Sequence, residues 1–205
     1  MTPLHKRYGP LAIGFAAYLA ILGALAFRAG NVEFGLYAAL EVALALLVLV
    51  IDLRCRLPMG VLWGLFAWGL LHMMGGTIHV RGEVLYHFRF WEGGLKYDQL
   101  IHAYGFAVAT LVCWSGLKTA TKFNGPVTFG VATMLVLMGV GLGALNEVVE
   151  FVMTLTLPNT NVGGYDNTGW DLVSNLTGAL LAAIGIAITH NRAVAGEKLV
   201  SRAIP

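Results

Sequence analysis

Residues 127–157 read VTFGVATMLVLMGVGLGALNEVVEFVMTLTL. No charged side chain appears until Glu147, and a bilayer's hydrocarbon core takes about 20 apolar residues to cross as a helix. The whole run would be about 46 Å long at the helical rise, more than a core of roughly 30 Å requires. Its end is therefore expected to protrude, tilt or unwind, with Pro158 as the stopping point. Asn146, Glu147 and Glu150 lie within this span. Ionisable side chains cost about 2.5–3.5 kcal/mol each at the centre of a membrane helix, so two carboxyls here require partners inside a bundle.

Working outward, apolar runs bounded by Gly, Pro and charged residues predict further spans near 11–27, 34–51, 59–74, 98–117 and 170–189. The fold class is all-α, a polytopic bundle of about six transmembrane helices forming one integral membrane domain over 1–205. Composition agrees: 58% of residues are hydrophobic, 12% are charged and the mean hydropathy is +0.74, which excludes an ordinary soluble domain. The first run follows His5, Lys6 and Arg7, but it is long enough to cross a bilayer and is expected to remain as a span rather than be cleaved as a signal peptide.

Basic residues set the expected orientation. Lys6, Arg7, Arg54, Arg56, Lys118, Lys122, Arg192, Lys198 and Arg202 fall on one side, against Arg28, Arg81, Arg89 and Lys96 on the other. Nine against four places both termini in the cytoplasm. The net charge of +2 is scattered over helix ends and gives no reason to expect a nucleic-acid partner. Cys55 and Cys113 fall toward the cytoplasmic side, where thiols stay reduced, and no disulfide is expected.

The scarce polar groups collect at the opposite, extracytoplasmic end. They comprise Glu33 and Glu41 in the second span, His72 closing the third, Asp98 and His102 opening the fourth, Asn146, Glu147 and Glu150 in the fifth, and Asp171 and Asn175 opening the sixth. No carboxyl or imidazole is expected in the cytoplasmic halves. Asp98 and His102, like Asp171 and Asn175, are four residues apart and share a helix face. Each pair is followed by a glycine, Gly105 or Gly178, so D-x-x-x-[HN]-x-x-G occurs twice, as a parallel duplication of a helical hairpin would produce. Two imidazoles with several carboxyls form a ligand set for zinc, manganese or iron. The competing reading is a buried hydrogen-bond network that only fixes helix packing.

His79, His87 and His190 read as surface histidines and Glu33 as an interfacial acid. The glycines at 139, 141 and 143 read as helix-packing positions. The pairs Gly75–Gly76, Gly93–Gly94 and Gly163–Gly164 read as tight outer loops. Between Gly75 and Lys96, aromatic and basic residues alternate as in a segment at headgroup level. Arg81, Arg89 or Lys96 could alternatively bind a lipid phosphate.

His72 with Gly75 and Gly76, then Tyr97, Asp98 and His102, then Asn146, Glu147, Glu150 and Phe151 carry a resemblance to a family. So does the stretch Tyr165, Asp166, Asn167, Thr168, Trp170, Asp171, Leu172, Asn175, Gly178 and Ala179. Over about its last three quarters the chain resembles the uncharacterised YjdF-like family of bacterial inner-membrane proteins and is more distantly similar to VanZ-like membrane proteins. In the latter group Lys often stands where this chain has Gln99. The VanZ-like resemblance implies a place in the cell envelope.

Together these readings predict an inner-membrane, multi-pass protein with an outward-facing site. His72, Asp98, His102 and Asp171 are the expected metal ligands, Glu147 and Glu150 the acid–base groups, and Asn146, Asp166, Asn175 and Glu41 the supporting residues. Expected partners are membrane lipids and a lipid or lipid-linked envelope substrate, acted on by a hydrolase or transferase. A proton- or cation-coupled transporter and an accessory envelope protein are the alternatives.

Overall fold

A computed structural model describes residues 4–203. The chain is all-helical apart from one small hairpin: α1 spans Leu4–Arg28, α2 Val32–Cys55, α3 Met59–Thr77, α4 Tyr97–Thr121, α5 Phe129–Thr156 and α6 Tyr165–Ala203. All six are long and apolar enough to cross a membrane. Between α3 and α4, β1 (His79–Val80) pairs antiparallel with β2 (Glu83–Val84), and a 3₁₀ turn follows over Leu85–His87. Arg81 and Gly82 both have positive φ, 56° and 90°, the geometry a two-residue hairpin turn requires. We call this the hairpin end and the opposite one the terminal end.

Helix limits follow local chemistry. Asn31 accepts a hydrogen bond from the Phe34 amide at 3.1 Å, capping α2, while its amide donates to the Gly76 carbonyl of α3 at 3.2 Å. Gln99 accepts from the Lys96 amide at 3.0 Å at the start of α4. Arg56 and Lys122 close α2 and α4 in left-handed conformations. Helix α5 ends at Thr156, just before Pro158, as expected. Every helix but α5 exceeds its predicted span. Gly75 and Gly76 lie inside α3 rather than in a loop, because the ring of Tyr86 seats on Gly75 and that of Phe34 on Gly76. Helix α6 starts five residues earlier than predicted.

Helices α1, α2 and α3 pack together, as do α4, α5 and α6, with α3 against α4 joining the two groups. The most extensive interface is between α4 and α6, which both start at the hairpin end and run parallel. Small residues set their separation: a Cβ on Gly178 would collide with the backbone of Ala103 and Ala107, and Gly139 sits between Thr110 and Ala179. Exposed Leu, Ile, Val and Phe side chains on the outer faces form the surface that meets lipid.

One expectation is corrected at the terminal end. Asp52 is completely buried in the last turn of α2, held by the Arg7 guanidinium at 2.9 and 2.6 Å and by the Tyr8 hydroxyl at 2.5 Å. Arg7 also donates to the Leu57 carbonyl at 2.6 Å, locking α1 to the α2–α3 turn. A carboxyl is tolerated here because a bidentate guanidinium neutralises it on site. His190, expected at the surface, packs edge-on to Trp114 with ring centroids 5.0 Å apart and contacts the Gly125 carbonyl at 2.9 Å.

The close α4–α6 approach yields a stability prediction. Gly178→Ala is expected to destabilise the detergent-solubilised protein by about 1–3 kcal/mol through overpacking. Gly141→Ala, where a Cβ meets nothing within 4 Å, is expected to change stability by less than about 0.5 kcal/mol. Thermal unfolding followed by circular dichroism checks both.

Candidate functional site

The parallel pairing of α4 with α6 brings the two D-x-x-x-[HN] faces together at the hairpin end. Asn167, one turn before Asp171, donates to Asp171 Oδ2 at 2.5 Å and to Asp98 Oδ2 at 3.2 Å, so one amide bridges an acid from each helix. One turn deeper, His102 Nδ1 meets Asn175 Oδ1 at 3.1 Å. Asn175 is fully buried and lies against Gly143 of α5, where a larger residue would displace it.

Helix α5 supplies the third side. Glu147 Oε1 is 3.6 Å from His102 Nδ1, and Glu150 Oε1 is 3.7 Å from His102 Nε2, the same nitrogen that faces Asp98 Oδ1 at 3.5 Å. Asn146 donates to Glu150 Oε1 at 2.8 Å. Two overlapping groups result, Asp98–His102–Asp171 and His102–Glu147–Glu150, in each of which one donor atom per residue lies within 4.8 Å of the others. His102, Glu147 and Asp171 are buried. Both Glu147 oxygens, Asp171 Oδ1 and Asn175 Nδ2 have no hydrogen-bond partner. Four carboxyls in so small a volume repel one another strongly at low dielectric unless protons or a cation intervene.

The two histidines differ in what they can offer. In His102, Nδ1 faces a carbonyl oxygen and therefore carries the proton, leaving the Nε2 lone pair directed at Asp98 and Glu150, as in a metal ligand oriented by its outer partner. His72 lies outside both groups. Its Nδ1 is bound by the Tyr86 hydroxyl, and its ring packs against Tyr37 and Phe34. Burial, reinforced by the charge of Asp98, raises the Tyr86 phenol well above its ordinary pKa, so it remains a donor. With Nδ1 accepting, the His72 proton resides on Nε2.

A cavity of about 20 Å³ opens beside the cluster, lined by residues that include His72, Tyr86, Asp98, Glu150 and Glu33. That is room for a single water or ion. Glu33, expected as an interfacial acid, is buried and accepts from the Asn161 backbone and side-chain amides at 2.7 and 2.8 Å, tying α2 to the α5–α6 loop. Below His102 the bundle closes over buried Thr110, Leu135 and Ala179, so the pocket is blind toward the terminal end.

Other predicted residues lie elsewhere. Glu41 is paired with Tyr18 of α1 at 2.8 Å, away from both groups. Asp166 is exposed and has no side-chain partner among the described residues. Its neighbour Asn167 fills the bridging position, and the four-residue spacing from Asn167 to Asp171 was the available signal. Arg89 donates to the Gly94 carbonyl at 2.8 Å and Lys96 to Asn167 at 2.9 Å, so two of the three basic groups Arg81, Arg89 and Lys96 are engaged internally. Asn167→Ala is expected to destabilise the protein by about 1–3 kcal/mol by freeing buried Asp171 and half-buried Asp98 from their shared donor. Asp166→Ala should remain within about 0.5 kcal/mol of wild type; equilibrium unfolding in mixed micelles distinguishes them.

Comparison with known proteins agrees with the membrane fold. No solved structure matches the chain. An uncharacterized protein of Thermotoga maritima is 30% identical over 112 residues, covering 54% of this chain and 58% of that relative, so the match spans little more than half the length of either. The model of the family described as "Predicted membrane protein (DUF2238)" matches residues 10–192. The chain is therefore a multi-pass membrane protein of the DUF2238 family.

Proposed function

We propose that the cluster around His102 is a divalent-metal centre, facing the extracytoplasmic side of the inner membrane, that acts on a lipid or lipid-linked envelope substrate by hydrolysis or group transfer. The observation that carries this reading is the donor set: four carboxyls and one imidazole form two overlapping groups that share His102, beside a small cavity to which Asp98 and Glu150 contribute. A packing network seldom gathers four acids around one imidazole. Mixed nitrogen and oxygen donors suit zinc, manganese or iron.

Each residue then has a distinct task. His102 offers Nε2, and Asp98 and Asp171 offer oxygens already aligned by Asn167. Asn175 fixes the His102 tautomer, a positioning role. Glu150 lines the cavity and is placed to take a proton from an incoming nucleophile, with Glu147 buried behind it. His72, held by Tyr86, presents an N–H in the same cavity wall and can hydrogen-bond a substrate oxygen. A bound divalent ion would supply Lewis acidity toward an oxygen ligand.

The cavity admits one reactive group, not a whole headgroup, so the bulk of any substrate stays in the lipid or at its surface. Envelope location rests on the VanZ-like resemblance, and the outward-facing assignment on the distribution of basic residues. A transporter reading has less support, because the tightly packed layer of Thr110, Gly139 and Ala179 lies directly beneath the site.

Elemental analysis of the detergent-purified protein is expected to find about one divalent ion per chain. His102→Ala and Asp98→Asn should lose it, whereas His72→Ala should keep it. Glu150→Gln is expected to slow envelope lipid turnover by about 100-fold or more, the scale of a lost general base. Wild-type protein free of metal, together with unchanged turnover in Glu150→Gln, would refute the proposal.

A further inference from the structure

A second cavity lies at the terminal end, remote from the His102 cluster. It has a volume of about 250 Å³ and is lined by Cys55, Arg56 and Pro58 of the α2–α3 turn and by Ser115, Lys118 and Thr119 of α4. No acidic residue lines it. Among the described residues, neither Arg56 nor Lys118 forms an ion pair, although Arg7 in the same region is fully engaged by Asp52.

Both cations are carried on fixed backbone at the end of a helix. Arg56 is the left-handed cap of α2, its amide bonded to the Asp52 carbonyl at 2.8 Å, and that carbonyl belongs to the residue locked by Arg7. The Lys118 ammonium lies 5.3 Å from the centre of the Trp114 ring, a cation–π contact that holds it beside the cavity. The hydroxyls of Ser115 and Thr119 donate to the Leu111 and Ser115 carbonyls, so recognition falls to the two cations. The cavity is therefore lined by two cations and no anion, with space for a tetrahedral oxyanion that the 20 Å³ pocket at the other end lacks.

Its position identifies the source of the anion. The lining residues are the last turn of one membrane helix, a turn, and the last turns of another, which is the level of lipid headgroups. Beside the turn, Met59 and Trp63 of α3 are exposed and offer an apolar wall to an acyl chain. We infer that this cavity binds the phosphate of an anionic phospholipid headgroup, held between Arg56 and Lys118. The site is independent of the metal proposal.

The test must separate a built site from the general attraction of a basic helix-end surface for anionic lipid. Full-length protein is reconstituted in nanodiscs of equimolar phosphatidylglycerol and phosphatidylcholine. It is then re-extracted and washed at about 0.5 M salt, where screening confines charge attraction to roughly 4 Å, and the retained lipid is quantified by mass spectrometry. The expected result is a phosphatidylglycerol preference of about 5-fold or more, abolished in Arg56→Gln/Lys118→Gln and kept in Arg54→Gln/Arg192→Gln, whose exposed cations do not line the cavity. Equal retention of both lipids by wild type, or equal loss of preference in both double variants, overturns the proposal. Inorganic phosphate added to the wash resolves the source. Displacement of phosphatidylglycerol only at millimolar concentrations supports the headgroup, whereas displacement at micromolar concentrations assigns the cavity to free phosphate instead. Thermal unfolding of each variant confirms that the comparison is between folded proteins.

Discussion

Helices α4 and α6 approach each other closely because Gly178 has no side chain, and at that approach Asp171, His102 and Asn175 are buried, with Asp98 and Asn167 half-buried beside them. Charged groups are tolerated in a bilayer only when something other than solvent satisfies them. Much of the hairpin end can be understood as meeting that requirement. Asn167 bridges Asp98 to Asp171, Asn146 holds Glu150, and Asn175 holds His102. The surplus of carboxyls over donors is what the proposed cation would offset.

Burying an acid has two different solutions within this one molecule. At the terminal end Asp52 is neutralised by a permanent partner, Arg7, whose fork also secures the neighbouring turn. Such a pair is structural, since both carboxylate oxygens are occupied by donors of the chain itself. At the hairpin end the acids outnumber their donors, and the nearest ammonium, Lys96, is bound to Asn167 rather than to a carboxyl. The contrast separates an ion pair that fixes helices from a site prepared for something exchangeable.

Much of this was legible in the sequence, for reasons that can be named. The six spans follow from apolar run length, and the gathering of Asp98, His102, Glu147, Glu150 and Asp171 follows from helical spacing combined with the rule that intramembrane charges seek one another. What escaped was set by contacts between distant segments. Gly75 and Gly76 resemble loop glycines until Phe34 and Tyr86 are known to rest on them. Glu33 looks interfacial until the α5–α6 loop brings Asn161 over it. Asp166 and Asn167 both fall in the stretch that carries the family resemblance, but with α6 starting at Tyr165 only Asn167 has the helical phase to face Asp98. His72 and His102 read alike as imidazoles at the same end of the bundle, but the fold seats His72 against Tyr86 of the 3₁₀ turn.

The claim at the centre of this account is that the surplus carboxyls and the Nε2 atom of His102 share one cation. X-ray absorption spectroscopy of the zinc-loaded protein tests it most directly. The account predicts a shell of one imidazole nitrogen and otherwise oxygen at about 2.0–2.2 Å, without sulfur, with the imidazole signal lost in His102→Ala. A sulfur-containing shell, or an all-oxygen shell unchanged by that substitution, would contradict it.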